Sequence, residues 1–297
     1  MAFLLAFLAA CAFALGTVLQ QKGTVETSAG GRDPRFLVQI LRRPVWLAGG
    51  GLQVAGWVMQ AVALKTGALM VVQAVTATSL VIALPLGAKI TNQRISRRVI
   101  TGAAAMVAGI VLFLFVGSPQ GGTSQPDAAA WRSAIAAAIV TAGLLGFLGW
   151  RRTGAVRALL FGSAAGVAYA LQAAVTKVFM TQLGHGVAAL LSDWTTYALL
   201  ICAVVGFVFQ QSALKTSVLA PAMAASNAVT LFASVIFGIT VFGETLSHGH
   251  GRLAPAVIGL VIAMAGIVLL AGAEPPITHE PAPQRGHASA GTAPPGA

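Results

Sequence analysis

The sequence predicts an all-α polytopic membrane protein, with about nine transmembrane helices in two inverted four-helix repeats plus one connecting helix. Three observations predict it. Apolar residues make up 57% of the 297 residues and charged residues only 8%, too few charges to cover a soluble surface of this length. The apolar residues fall in repeated runs of the roughly 20 residues that cross a bilayer core, with charge confined to the short segments between them. A block of sequence also recurs 150 residues later in the same residue order.

The spans are read at residues 2–21, 45–64, 67–88, 98–117, 131–150, 157–180, 189–212, 216–242 and 253–272. A tight turn at Lys65-Thr66-Gly67 separates the second from the third. The first span lacks the basic leading segment of a secretory signal, and its positive residues follow it, beginning at Lys22; it reads as a retained anchor. The formal net charge of +11 does not predict a nucleic-acid partner, because the basic residues sit in short loops beside apolar spans. Lys22, Arg32, Arg35, Arg42, Arg43, Lys89, Arg94, Arg97, Arg98, Arg151, Arg152, Arg157, Lys215 and Arg285 fall on one side, against Lys65, Arg132 and Arg252 on the other. The bias places the odd loops and the C-terminus in the cytoplasm and the N-terminus outside, in a multi-pass cell-membrane protein. Cys11 and Cys202 lie inside spans with no metal-ligand or CxxC spacing and read as small buried apolar residues. Residues 273–297, rich in Pro, Ala, Gly and His, read as a disordered cytoplasmic tail.

The repeat is carried by Gly56-Trp-Val-Met-Gln60-Ala-Val-Ala-Leu-Lys-Thr66 and Gly206-Phe-Val-Phe-Gln210-Gln-Ser-Ala-Leu-Lys-Thr216, followed by Ala108-Gly-Ile-Val-Leu112 and Ala265-Gly-Ile-Val-Leu269. Leu and Ala matches arise by chance in such a chain, whereas Gly, Gln, Lys and Thr in fixed order do not. Residues 1–117 form the first repeat, 118–156 a loop and connecting helix, and 157–272 the second repeat. An odd number of spans between the copies inverts the second, a plan that recurs in secondary transporters.

These blocks, with Gly16-Thr-Val-Leu-Gln-Gln-Lys22-Gly23, the stretch from Gln210 to Pro221 and Gly243-Glu244-Thr245-Leu246, resemble the drug/metabolite transporter (EamA-like) superfamily, closest to its NIPA-like branch of magnesium transporters. The resemblance covers about residues 3–272. It implies a secondary transporter working by alternating access. Where the NIPA-like pattern has an acidic residue and an Asn flanking the block at Gly56, this chain has Trp57 and Gln60, and its third span has Val72-Gln73-Ala74 in place of Pro-Leu-Gly. The substrate that follows is a small metabolite or drug, or a divalent cation such as magnesium.

Polar groups inside a bilayer are costly and so are candidate site residues. Lys177 falls within the sixth span, and Lys22 is its counterpart at the inner end of the first. Each lysine either snorkels to the interface or holds an anionic group or a counter-carboxylate on the facing repeat. Gln60 and Gln210 are repeat-related, and with Gln73 and Asn227 they are expected to face helix interfaces or a wet cavity. The expected substrate-binding set is therefore Lys22, Gln60, Gln73, Lys177, Gln210 and Asn227. Asp193 and Glu244 are the acidic residues near the spans of the second half. Two outer carboxylates could form a cation entry site, since magnesium is held by one or two carboxylates with retained waters. His248-Gly-His250 reads mainly as a solvated loop, with metal capture beside Glu244 as the alternative. Trp46, Trp131, Trp150 and Trp194 fall near span ends and read as interfacial.

GxxxxGK[ST], HExxH and Ser/His/Asp arrangements are absent, so neither ATP-driven pumping nor an enzyme is expected, and no cofactor. Expected partners are the lipid bilayer and a small-molecule or ion substrate, with a homodimer left open. The competing reading is a non-transporting membrane assembly or sensor subunit, which would tolerate apolar replacement of Gln60, Gln210 and Lys177.

Overall fold

A computed structural model describes residues 1–25, 43–91, 97–123, 126–183, 191–214, 219–246 and 253–271. The fold is built almost wholly of helices: α1 (Ala2–Val25), α2 (Pro44–Thr66), α3 (Leu69–Ala77), α4 (Ser79–Thr91), α5 (Arg97–Gly117), α6 (Ala128–Trp150), α7 (Gly154–Gln182), α8 (Trp194–Leu214), α9 (Leu219–Thr240) and α10 (Leu253–Ala271). Two two-residue strands, β1 (Gln120–Gly121) and β2 (Glu244–Thr245), pair antiparallel in the register Gln120↔Thr245 and Gly121↔Glu244. Among the described residues, seven helices are long and apolar enough to cross a membrane, and the α3–α4 segment and α10 are shorter apolar helices. The chain is an all-α polytopic membrane protein.

The expected span 67–88 is broken. Its helix stops at Ala77 and restarts at Ser79. The cause is local, in the run Thr76-Ala77-Thr78-Ser79. The Thr78 hydroxyl donates to the Val75 carbonyl oxygen at 2.6 Å and the Thr76 hydroxyl to that of Gln73 at 3.2 Å. Hydroxyls that bond back onto their own turn bend helices, and Pro85 inside α4 removes a further backbone donor. The other boundaries follow ordinary signals. Pro44 stands at the start of α2, where its missing N–H costs nothing. The Asp127 carboxylate accepts from the Ala129 N–H at 3.0 Å and caps α6.

The helix α7 is the central one, with most of its surface covered. It packs against α9, α8, α6 and α2, while α1 packs against α2, α3 and α4. The two groups meet where α3 and α10 pack on α9 and where α5 packs along α10. The α5–α10 contact depends on four glycines. A Cβ at Gly109 would lie 2.3 Å from the Ala263 nitrogen, and one at Gly266 2.4 Å from the Met106 nitrogen. Likewise, a Cβ at Gly102 would lie 2.9 Å from the Leu270 nitrogen and one at Gly259 2.7 Å from that of Phe113. Small residues of this kind let membrane helix backbones touch.

Candidate functional site

Lys177, in the last turns of α7, is directed into the protein by that helix's buried face of Ala173, Ala174, Thr176 and Val178. An ammonium in such surroundings needs a counter-charge. It finds one in Glu244 on β2: Nζ stands 2.6 Å from Oε1, and the residues are 6% and 1% exposed. The carboxylate also accepts two backbone N–H groups, from Leu69 to Oε1 at 2.5 Å and from Met70 to Oε2 at 3.0 Å. These are the first amides of α3, which have no partner within their own helix. The positive end of that helix adds to the attraction. The ammonium also lies 4.6 Å from the centroid of the Phe242 ring, a favourable cation–π placement.

The carboxylate fits because glycines leave it room. A Cβ at Gly238 on α9 would meet Glu244 Oε2 at 2.7 Å, and one at Gly122 would meet its Cγ at 2.8 Å. The segment that carries Glu244 leaves α9 through Gly243 at φ +63°, a conformation that glycine adopts without penalty. It is held by the β1–β2 pairing and by the Thr123 N–H, which donates to the Phe242 carbonyl oxygen at 2.8 Å. Phe242 packs edge-on against Trp131 at 5.9 Å, and Trp131 against Trp194 at 5.4 Å. Trp131, expected at the membrane interface, is buried in this cluster; it starts α6 but faces Phe242 rather than lipid.

Three helices, α3, α7 and α9, and one strap thus converge on the buried Lys177–Glu244 pair. Lys177 and Glu244 both belong to the second expected repeat and the receiving amides to the first. The counter-carboxylate does not come from the facing repeat; it comes from Lys177's own repeat and is clasped by the facing one. Glu244 is not presented to a cation, because the Lys177 ammonium and two amides already occupy its oxygens. Asp193 is likewise engaged, accepting from the Thr195 N–H at 2.8 Å and from the Thr195 hydroxyl at the start of α8. A carboxylate just before a helix is drawn to that helix's free amides. Among the described residues, no group of three or more His, Cys, Asp and Glu is gathered as a metal would need. His248 and His250 lie outside the described residues.

The remaining expected residues are placed elsewhere. Gln60 Nε2 donates to Gln73 Oε1 at 3.3 Å, and the Thr76 hydroxyl donates to the same oxygen at 3.2 Å. Gln210 Nε2 donates to Met223 Sδ at 3.0 Å, leaving its buried Oε1 without a partner. Asn227 Nδ2 donates to the Met223 carbonyl oxygen of its own helix at 2.8 Å. Lys22 is exposed in the last turn of α1, where a snorkelling lysine would sit, and does not join Lys177. An apolar cavity of ≈ 270 Å³ lies beside β1, bordered by Phe3, Val71, Leu114 and Phe115 among others, and none of the expected substrate-binding residues lines it. Lys177 is sealed in its ion pair, and the glutamine contacts are interhelical bonds rather than the walls of that cavity.

Two signals in the sequence pointed to the ion pair without joining its halves: a lysine within an apolar run, and a Gly-Glu step closing the next-to-last span. The two receiving amides carried none, because backbone donors leave no mark on residue type.

No family model and no solved structure matches the chain. An uncharacterized protein of Corynebacterium glutamicum is 27% identical over 272 residues, spanning 91% of this chain and 94% of its own length.

Proposed function

We propose that the chain is a secondary transporter of the drug/metabolite type, working by alternating access between two inverted repeats in the cell membrane. The N-terminus lies outside and the C-terminus in the cytoplasm. The observation that carries this reading is the packing of α5 on α10. Gly102, Met106, Gly109 and Phe113 are followed 157 residues later by Gly259, Ala263, Gly266 and Leu270. Exchanging the two sets turns the Gly109–Ala263 approach into Gly266–Met106, and Gly102–Leu270 into Gly259–Phe113, all four being close approaches. A contact that reproduces itself under exchange has the character of a two-fold axis. A second pair agrees with it: Gln60–Gln73 and Gln210–Met223 are contacts 13 residues apart, at positions offset by the same 150 residues as the sequence blocks. Such symmetry gives a membrane protein two equivalent ways to open.

At one end of the bundle, the Lys177–Glu244 pair clasped by α3 holds the halves together. In this reading the paired state is closed there, and transport requires the pair to part. The substrate favoured by this donor set is a small organic metabolite or drug. Magnesium rests on the sequence resemblance alone, since Glu244 and Asp193 are both engaged with protein donors.

The competing reading, a non-transporting assembly or sensor subunit, draws support from the sealed state of Lys177 and of the glutamines. Proteoliposomes carrying the purified protein separate the two. One arm reads magnesium entry with an internal dye, and the other reads counterflow of radiolabelled organic solutes. The transporter reading expects saturable counterflow of at least one solute, lowered at least tenfold by Lys177→Gln. Magnesium flux abolished by Asp193→Asn and Glu244→Gln would move the substrate to the cation. Silence in both arms with folded protein would leave the non-transporting reading.

A further inference from the structure

The Lys177–Glu244 contact has the composition of a ligand site filled by a piece of the chain itself. The fixed part stands on membrane helices: the Lys177 ammonium on α7, the Leu69 and Met70 amides opening α3, and the gap left by Gly238 on α9. The occupant is a carboxylate on a short strap, hinged at Gly243 and held outside the helices by the two-residue pairing with β1. We propose that this is a carboxylate-binding site, self-occupied by Glu244 in the closed state, and that a small organic carboxylate takes the place of Glu244 when the strap lifts.

The physical ground is the charge left behind. Lys177 is buried among alanines, valine and threonine, and withdrawing Glu244 alone would strand an ammonium and two amide donors in a low-dielectric interior. The strap therefore lifts readily only when another anion enters. A carboxylate fits better than a halide because it has two oxygens for donors on two elements: Oε1 takes the ammonium and one amide, and Oε2 takes the second amide. The Phe242 ring, 4.6 Å from the ammonium, precedes the Gly243 hinge and would stay beside the ammonium when Glu244 leaves. Opening and loading then become one event, which makes the bound solute the agent that releases the clasp. This names the substrate class for the transporter reading and rests on that reading for its role in transport. Binding at the site is testable without it.

Deleting the occupant tests the proposal. Purified Glu244→Ala in detergent, at pH 7 and constant ionic strength, would be melted in sodium chloride and in rising sodium acetate or propionate. We expect a midpoint below that of the native protein, raised saturably by several degrees by either carboxylate and not by chloride. Native protein and the Lys177→Met/Glu244→Ala double variant should stay flat. Rescue absent from folded Glu244→Ala, or as large in the double variant, would overturn the proposal. Should Glu244→Ala fail to fold, Leu69→Cys in a background with Cys11 and Cys202 replaced keeps it testable with Glu244 in place. Leu69 is fully buried, and its N–H is one of the two that hold Glu244. Its maleimide labelling should rise at least threefold with propionate over chloride, and no difference between the two salts would overturn the proposal. Rescue or labelling without solute counterflow would uphold the site and sink only its place in transport.

Discussion

Replacing Lys177 by Met keeps the side chain's length and removes its charge, which isolates the energetic role of the ion pair. At 2.6 Å the gross attraction is about 6 kcal/mol at an effective dielectric near 20. Desolvation of both ions opposes most of it, so the informative quantity is the coupling rather than the sum. Losing one member of a buried pair costs about 3–5 kcal/mol, because the other charge is left uncompensated. Here Glu244 would retain the Leu69 and Met70 amides, and hydrogen bonds to a charged group are worth about 1.5–3 kcal/mol each. Lys177→Met should therefore fall at the low end, about 3 kcal/mol. Glu244→Gln should cost at least as much, about 3–5 kcal/mol, since it strands the ammonium and sets an amide NH2 group against one backbone N–H. The double variant contains no stranded charge, so it should be more stable than the two losses combined by about 2–3 kcal/mol. Equilibrium unfolding of the four proteins in mixed micelles, titrated with a denaturing detergent, measures this. Additivity within about 0.5 kcal/mol would refute the claim that the two charges stabilise one another.

Gly109→Val should destabilise by about 1–3 kcal/mol or abolish folding, because the new side chain meets the backbone of α10, which has no rotamer to escape through. Gly51→Ala and Gly143→Ala should raise the midpoint slightly, by about 0.4–1 kcal/mol, since a Cβ there meets nothing within 4 Å inside a helix; the same micelle titration reads all three. Gln73→Leu removes the acceptor shared by Gln60 and Thr76 and should cost about 0.6–1.7 kcal/mol on that titration, with Gln210→Leu cheaper because its oxygen has no partner to lose. Asp127→Ala removes the cap of α6 and should cost about 1 kcal/mol, with Asp127→Asn recovering most of it.

The membrane class was legible because a bilayer imposes one rule on every span, namely an apolar run of sufficient length. A local preference that competes with that rule leaves no such mark. Residues 67–88 form one apolar run, yet the hydroxyls of Thr76 and Thr78 bond to the carbonyls of their own turns and divide it. The importance of Lys177 was legible because a charge inside a span always demands explanation. Its partner was not, since Glu244 is 67 residues away and no local spacing links them. Asp193 looked like a cation ligand because residue type alone does not tell a metal-binding carboxylate from one turned onto the amides of the next helix. Gln60 and Gln210 hold matching places in the two sequence blocks, but Gln210 faces Met223 where Gln60 faces Gln73. The second contact sets an amide against a thioether where the first sets two amides together. Trp131 carries a similar ambiguity: an aromatic residue near a helix end suits either a membrane interface or a buried clasp, and the rings of Phe242 and Trp194 decide for the clasp.

The central claim is that the halves must part at the end closed by the Lys177–Glu244 pair. Gln120 and Thr245 face each other across the β1–β2 register, with β1 following the last helix of the first half and β2 carrying the clasp of the second. A cysteine pair at these two positions, with Cys11 and Cys202 replaced, can join the halves by a reversible bond. Solute counterflow in proteoliposomes would be measured oxidised and then reduced. The account predicts flux reduced to background when oxidised and restored by reductant. Equal flux in both states, with the disulfide confirmed by mass, would contradict it.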